Sequence, residues 1–494
     1  MGRRVLAVTA LAVVLALGMW TVGVVRGDDS REVTAGPVPS ELSMRPEPAE
    51  PAEPAESAES AEPSKPPVRE YVPLVTAVAP SGRYFVDQHG RPLLVRGDSP
   101  WSLMTDLSAD QARRYFADRQ SRGVNAMIVS VLGSVGNGGP SDDGATHDGV
   151  RPFGDGGITD WNPAYWRRVH AYVRMAQQHG ITLVLYPVDS WVVDSGLVPT
   201  EVGACRAYGR KVGEFFADLP NIMWSVGGDY LPDRASESGT EVDRCLDAVL
   251  DGIRRSGDTR PRTIQVSGGK PMASSDDPFW RQRISFNFAY TYSPTYRLVR
   301  RARAADPARP VVFGEGNYER ENLQGNQPTT PETLRRQTAW ALTSGAVADF
   351  YGSDDWEFRS GWQDRLDAPG LADVGHVRDV VEGLPWWTWE PDTEGDFITS
   401  GRGQAITEDD GTTDVLDSDL ATAALAPDGS SGLVYVPTAR TFTIDDSRLE
   451  GSVRAAWVDP STGSRRSVPV RATYRTPGAN ADGDGDWLLE LTSR

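Results

Sequence analysis

Cysteine occurs at two positions only, Cys205 and Cys245, in 494 residues, and neither stands in a Cys-x-x-Cys or Cys/His spacing that could hold zinc. Histidine is nearly as scarce. His89, His147, His170, His179 and His376 form no His-Glu-x-x-His, and no Gly-x-Ser-x-Gly occurs, which removes the common metalloprotease and serine-hydrolase patterns. No metal site and no cofactor is expected from these patterns. Lysine is confined to Lys65, Lys211 and Lys270, a bias toward arginine rather than a chemical signal. Positive charge as a whole falls short: 50 Lys plus Arg stand against 69 Asp plus Glu, a formal charge of -19. A nucleic acid would be repelled by that balance, so it is excluded as a partner.

What is present points elsewhere. With 39% hydrophobic residues the chain can bury one large core and a smaller one, so a barrel-sized domain with an accessory domain is expected. Fifteen Trp and fifteen Tyr suit a protein whose ligands are sugars, which stack on aromatic rings. At the N-terminus, Arg3 and Arg4 precede the uncharged run Val5 to Val25, closed by Arg26. As a helix this run would span roughly 30 Å, enough to cross a bilayer, whereas the apolar part of a cleavable signal is usually about 7 to 15 residues. Residues 1-26 therefore read as a signal anchor, with a cleaved signal peptide as the alternative; either places the rest outside the cytoplasm, membrane-anchored or secreted. Residues 27-75, rich in Pro, Ala, Glu and Ser, read as a disordered spacer.

From Pro92 onward strand-like and helix-like runs alternate. Strands are expected at Pro92 to Gly97, Val124 to Leu132, Ile181 to Pro187, Asn221 to Gly228, Arg262 to Ser267, Ile284 to Tyr290, Pro310 to Gly314 and Ala346 to Tyr351. Helical patterns fill most connections, among them Ser108 to Arg122 with its capping box, Asn162 to His179 and Pro331 to Ser344. This is the pattern of a (β/α)8 TIM barrel over residues 76-395, although Gly268 to Arg283 shows no helix. After Asp396 come short β-rich runs, among them Val453 to Val458, Val468 to Tyr474 and Trp487 to Leu491, separated by turns such as Pro427-Asp428-Gly429, which suit a small antiparallel β-sandwich over 396-494. Asp482, Asp484 and Asp486 alternate there; no bidentate acid follows at the place a calcium loop needs, so they read as a solvated hairpin turn.

Two of the expected strands end alike. Asn221 to Tyr230 is an apolar run closed by Gly227-Gly228-Asp229, and Pro310 to Asn317 is another closed by Gly314-Glu315-Gly316. Each acid alone could be a solvated turn residue. Together, on strands four and seven, both would stand at the C-terminal face where barrels keep their active sites. A pair of carboxyl groups facing each other there is the equipment for glycoside hydrolysis.

The segments Gly82-Arg83-Tyr84-Phe85-Val86-Asp87, Gly97-Asp98-Ser99-Pro100-Trp101, Asn221-Ile222 with Gly227-Gly228-Asp229, and Gly314-Glu315 with Tyr318-Glu319 resemble the DUF4038 family, the apiosidase-like glycoside hydrolases. The resemblance implies Asp229 as acid/base and Glu315 as nucleophile, and puts Asp98 and Trp101 in a substrate pocket. The C-terminal run resembles the collagen-binding-type β-domain that accompanies that family. The bland alternatives are a turn acid for Asp98 and a core aromatic for Trp101. Trp191, Asn287, Tyr290 and Trp356 also sit at expected strand ends and are candidate substrate-binding residues. The run Phe288-Ala289-Tyr290-Thr291-Tyr292 and the pair Gly316-Asn317 depart from the family pattern, which leaves the sugar open. Two functions follow: an extracytoplasmic glycoside hydrolase, retaining, acting on an oligo- or polysaccharide, or a non-catalytic glycan- or matrix-binding surface protein. Cys205 and Cys245 are expected to pair, since the chain is exported and both lie on helices flanking strand four.

Overall fold

The computed structural model describes residues 72–493 apart from 233–237, 267–269, 322–327 and 408–410. The Val5 to Val25 segment and most of the spacer lie outside the described residues. Among the described residues no helix is long and apolar enough to cross a membrane.

Eight parallel strands form a barrel wall: β1 (Val95–Asp98), β2 (Ala126–Ser130), β3 (Thr182–Tyr186), β4 (Ile222–Tyr230), β5 (Arg262–Val266), β6 (Asn287–Tyr290), β7 (Val311–Glu315) and β8 (Ala346–Tyr351). They are hydrogen-bonded in the order β5-β4-β3-β2-β1-β8-β7-β6. Helices cover one face and the barrel core fills the other, so these strands are apolar runs without alternation, buried along almost their whole length. The helices are α1 (Ala109–Ser121), α2 (Pro163–Gln178), α3 (Val202–Phe215), α4 (Glu241–Arg255), α5 (Tyr296–Ala304), α6 (Pro331–Thr343) and α7 (Pro369–Glu382). Ser108 and Gln111 form the expected capping box on α1. Cys205 on α3 and Cys245 on α4 are joined in a disulfide with their Cα atoms 5.4 Å apart.

The expected first strand divides. Pro92–Leu93 pairs with Phe85–Val86 in a small antiparallel sheet, and only Val95–Asp98 joins the barrel. The connection without a helix, between β5 and β6, forms the short strand Met272–Ala273, antiparallel to β6, and two turns of 3-10 helix. Side chains stitch this seam of the ring. Thr263 Oγ1 donates to the Phe286 carbonyl (2.7 Å), and Ser274 Oγ donates to the Ile264 carbonyl (2.6 Å) while accepting from the Phe288 N–H (3.0 Å).

Beyond the barrel, Glu390–Pro391, β9 (Thr422–Leu425), β10 (Ser431–Val436), β12 (Arg454–Val458), β13 (Arg465–Val468) and β15 (Trp487–Thr492) make a six-stranded sheet. Ile398–Ser400, β11 (Thr441–Ile444) and β14 (Thr473–Arg475) make a three-stranded one. The expected single run Val468 to Tyr474 is thus two strands on different sheets. Alternation along β10 shows how the layers are assembled: Val434 and Val436 pack toward the small sheet, while Leu433 and Tyr435 pack on the barrel with Trp340. Helix α6, lying against this sheet, is therefore buried on every side from Thr333 to Thr343.

The hairpin with Asp482, Asp484 and Asp486 is a turn as expected but not a solvated one. Asp486 is fully buried, and Arg335 of α6, equally buried, bonds it in fork geometry at 2.9 and 3.0 Å. The same guanidinium reaches Asp373 at 2.7 Å and also Asp484. An arginine thus stands where a cation among these acids would have stood.

Candidate active site

Strand β4 positions its acid by an irregularity. Gly227 pairs with Gln265 and Tyr230 with Val266, so Gly228 and Asp229 are looped out of the ladder. Gly227, Gly228 and Asp229 all have positive φ, at 94, 81 and 50°. A side chain at Gly227 would stand 2.2 Å from the Gln265 carbonyl oxygen, which is why glycine is required there. Ser190 Oγ donates to the Gly228 carbonyl and fixes the bulge, which turns Asp229 into the barrel mouth. The left-handed backbone of a non-glycine residue is strain held at a point of use. On β7 the register also shifts opposite Tyr290, and Gly314 leaves room for the Phe288 ring beside Glu315.

Both acids line one pocket of roughly 160 Å³ at the C-terminal ends of the strands. Trp101, Trp191 and Trp356 are in its wall, as expected from the sequence. Asp98 and Asn287 are not. The Asp98 carboxylate turns outward to α1, where it accepts from Arg119 Nε (2.7 Å) and Tyr115 Oη (2.6 Å). Asn287 begins β6, at the end away from the mouth, and its amide donates to the Ala302 carbonyl (2.9 Å). Tyr290 lies behind the wall, where its hydroxyl shares a hydrogen bond with that of Tyr292 and it acts against the rise of both Asp229 and Glu315.

Several members of the site were not singled out from the sequence. Gln265 donates its amide to Glu315 and is oriented by Tyr186, whose hydroxyl donates to the Gln265 oxygen (2.8 Å). Tyr318 hydrogen-bonds to Glu315 and accepts from Trp101 Nε1 (2.7 Å). Glu321 accepts from Trp356 Nε1 (2.7 Å). Asp189 accepts from Ser130 Oγ and from Asn137 Nδ2, both at 2.6 Å, and caps the short helix Ser190–Asp194 that carries Trp191. Asn137 and Gly136 come from the Gly-rich loop between β2 and α2. Apart from Tyr318, quoted with Gly314-Glu315 in the family-like segment, no local pattern distinguishes these residues; only the register of Tyr186 on β3 and Gln265 on β5 could have drawn attention to two of them.

Among the described residues the lining contains four carboxyl groups, Asp189, Asp229, Glu315 and Glu321, and no Lys, Arg or His. Burial raises every one of these acids. Glu315, enclosed in protein, is pushed well up, first by burial and then by the charge of Asp229, against the donors Tyr318, Tyr290 and Gln265. Asp229 is open to the pocket space yet walled by the mouth, and burial raises it as well. Asp189 is pushed up to about 6 by burial, opposed by its hydrogen bonds. No described cation stands in this lining to offset the rise, and the charge of Asp229 adds to the rise of Glu315.

A barrel of eight parallel strands with two strand-end carboxyl groups in one pocket at its mouth and tryptophan walls defines the class of barrel glycosidases. The family model described as "Apiosidase-like, catalytic domain" matches residues 79–388, more than half the chain, so the chain belongs to that family and is a glycosidase. The match stops before the β-sandwich. A glycoside hydrolase family 5 protein from Bacteroides vulgatus is similar at 21% identity with a TM-score of 0.72, covering 85% of this chain and 92% of its own. A second solved structure, described as a glycoside hydrolase, gives 21% identity and a TM-score of 0.71 over 86% of this chain and 98% of its own. At these identities the likeness is one of fold. No curated protein matches the chain significantly.

Proposed function

We propose that this glycosidase acts with retention of configuration on a glycan outside the cytoplasm, with Glu315 as nucleophile and Asp229 as acid/base. The observation that carries the reading is that β4 and β7 each end by delivering a carboxyl into one tryptophan-walled pocket whose described lining holds no cation. Attack requires Glu315 ionised and Asp229 protonated. Burial raises both acids, and the charge of Asp229 adds to the rise of Glu315, so sugar binding must leave Glu315 ionised with the proton on Asp229. Tyr290 acts against the rise of both acids and is the group placed to relay a proton between them. The growing positive charge at the anomeric carbon then favours the Glu315 carboxylate, already oriented by Gln265 and Tyr318, while Asp229 protonates the leaving oxygen. Water released into the pocket afterwards meets Asp229 as base.

The disulfide between Cys205 and Cys245 supports an oxidising, extracytoplasmic compartment, in keeping with the apolar segment Val5 to Val25. The test of mechanism is the configuration of the first product seen by NMR, together with azide rescue of Asp229→Ala. Retention, and a glycosyl azide of retained configuration, are expected; an inverted first product would overturn the assignment.

A further inference from the structure

On the β-sandwich, the edge strand β13 of the large sheet and the edge strand β14 of the small one border a groove of roughly 410 Å³. Its walls carry Arg466, Arg471 and Arg475, and its floor is Trp457 and Tyr474. All three arginines are exposed, and none forms an ion pair with any described residue. In a chain of net charge -19, where most other arginines bond to a neighbouring acid, three uncompensated guanidiniums on one groove stand out.

The floor is rigid. Trp457 meets Tyr474 edge to face at 6.1 Å, Phe442 stacks on Tyr474 at 5.9 Å, and the Tyr474 hydroxyl accepts from the Arg471 N–H at 3.1 Å, which ties down the turn between the two edges. Trp457 and Tyr474 are 3% and 4% exposed, so they support the groove rather than offer a stacking face. Charges on edge strands also serve to deter strand pairing. Here Pro469 and Pro477 follow β13 and β14 and already interrupt the row of backbone donors, so the edges are poor templates for an added peptide strand. What remains on offer is an array of planar donors that match carboxylates in pairs.

We propose that this groove binds an acidic polysaccharide, a glycan bearing carboxylates along its length, and holds it to the enzyme apart from the catalytic pocket. Charge complementarity carries the assignment: in a net-negative molecule, three exposed arginines on one groove, none ion-paired with a described residue, make a local site of attraction for a polyanion. That the polyanion is a glycan rests on the chain being a glycosidase, and is independent of the roles given to Asp229 and Glu315.

The test is affinity electrophoresis of the full chain in gels containing alginate, a linear polyuronate, with dextran as neutral control and single-stranded DNA as competitor. Retardation by alginate, not by dextran, is expected, weakening as salt rises. The triple variant Arg466→Gln, Arg471→Gln, Arg475→Gln should lose at least about tenfold in affinity while keeping its melting temperature, because all three side chains are solvated. Equal retardation of both proteins, retardation by dextran, or complete displacement by DNA of equal charge would overturn the proposal. Failure here leaves hydrolysis untouched, so it is distinguishable from failure of the catalytic reading.

Discussion

The barrel mouth and the seam between barrel and β-sandwich both sink carboxyl groups into protein, and they treat them oppositely. At the seam Arg335 gives Asp486 a forked pair of bonds and reaches Asp373 and Asp484 as well. Burial works against the charge on Arg335, but its bonds to Asp486 and Asp484 outweigh that and raise its pKa. Asp373 shows the remaining cost: burial still lifts it to about 7 despite Arg335. At the mouth no described cation answers Glu315 or Asp229; Gln265 donates to Glu315 instead, and burial raises both acids. A buried acid facing a cation holds two layers together, whereas a buried acid facing another acid is available for chemistry.

Glu315→Gln should break the comparison most visibly. Activity should fall on the order of 10⁴-fold or more, since a nucleophile is lost. Stability should not fall with it. Glu315 has its folded pKa raised above its unfolded value, so its contribution is fully present below about pH 4.3 and is lost as pH rises through the folded pKa. The glutamine variant escapes that loss, and urea unfolding at pH 5 and pH 8 should show it less destabilised at the higher pH than the parent. A variant equally active, or markedly weaker at both pH values, would contradict the cation-free reading of the mouth.

Arg335→Ala should do the reverse. Leaving Asp486 buried without its partner should cost about 3 to 5 kcal/mol of unfolding free energy, with kcat/KM within a few-fold of the parent. Replacing both partners, Arg335→Met with Asp486→Leu, should recover most of the loss. Cys205→Ala with Cys245→Ala opens a loop of 40 residues and should cost roughly 3 to 4 kcal/mol in the chain-entropy model, measured against the disulfide-bonded parent. The smallest effect belongs to Asp189→Asn. Asp189 titrates at about 6 in the folded chain, so its contribution is lost between about pH 4 and 6, and the variant should flatten the decline of stability there by on the order of 1 to 3 kcal/mol. An unchanged slope would show that Asp189 does not carry it.

Much of the barrel was legible because parallel strands buried on both faces are short apolar runs whatever their neighbours. Helix α1 was legible down to its Ser108 and Gln111 cap for the same local reason. Asp229 and Glu315 were legible as strand-end acids because two apolar runs close alike on glycine and an acid, although either alone could have been a solvated turn residue. Asp98 ends β1 with the same credentials, yet its side chain leaves the ring for Arg119. Asn287 was placed at the wrong end of β6, since the expected strand began at Ile284 and the observed one at Asn287. The run Val468 to Tyr474 was read as one strand because nothing in its composition marks the change of sheet.

By itself the sequence determined where strands and helices lie, which two acids stand at strand ends, and that two cysteines on neighbouring helices can pair. These are consequences of local periodicity and of residues close along the chain. Tertiary structure decided which strand-end side chains face the mouth, that Gln265, Tyr290 and Tyr318 converge on Glu315, and that Arg335 of α6 rather than solvent answers Asp486 from 151 residues away. Each of these depends on ring closure, on a two-residue bulge, or on one layer docking against another. Whether a buried acid is left raised or held in a fixed ion pair follows only once the distant cation is known to be present or absent.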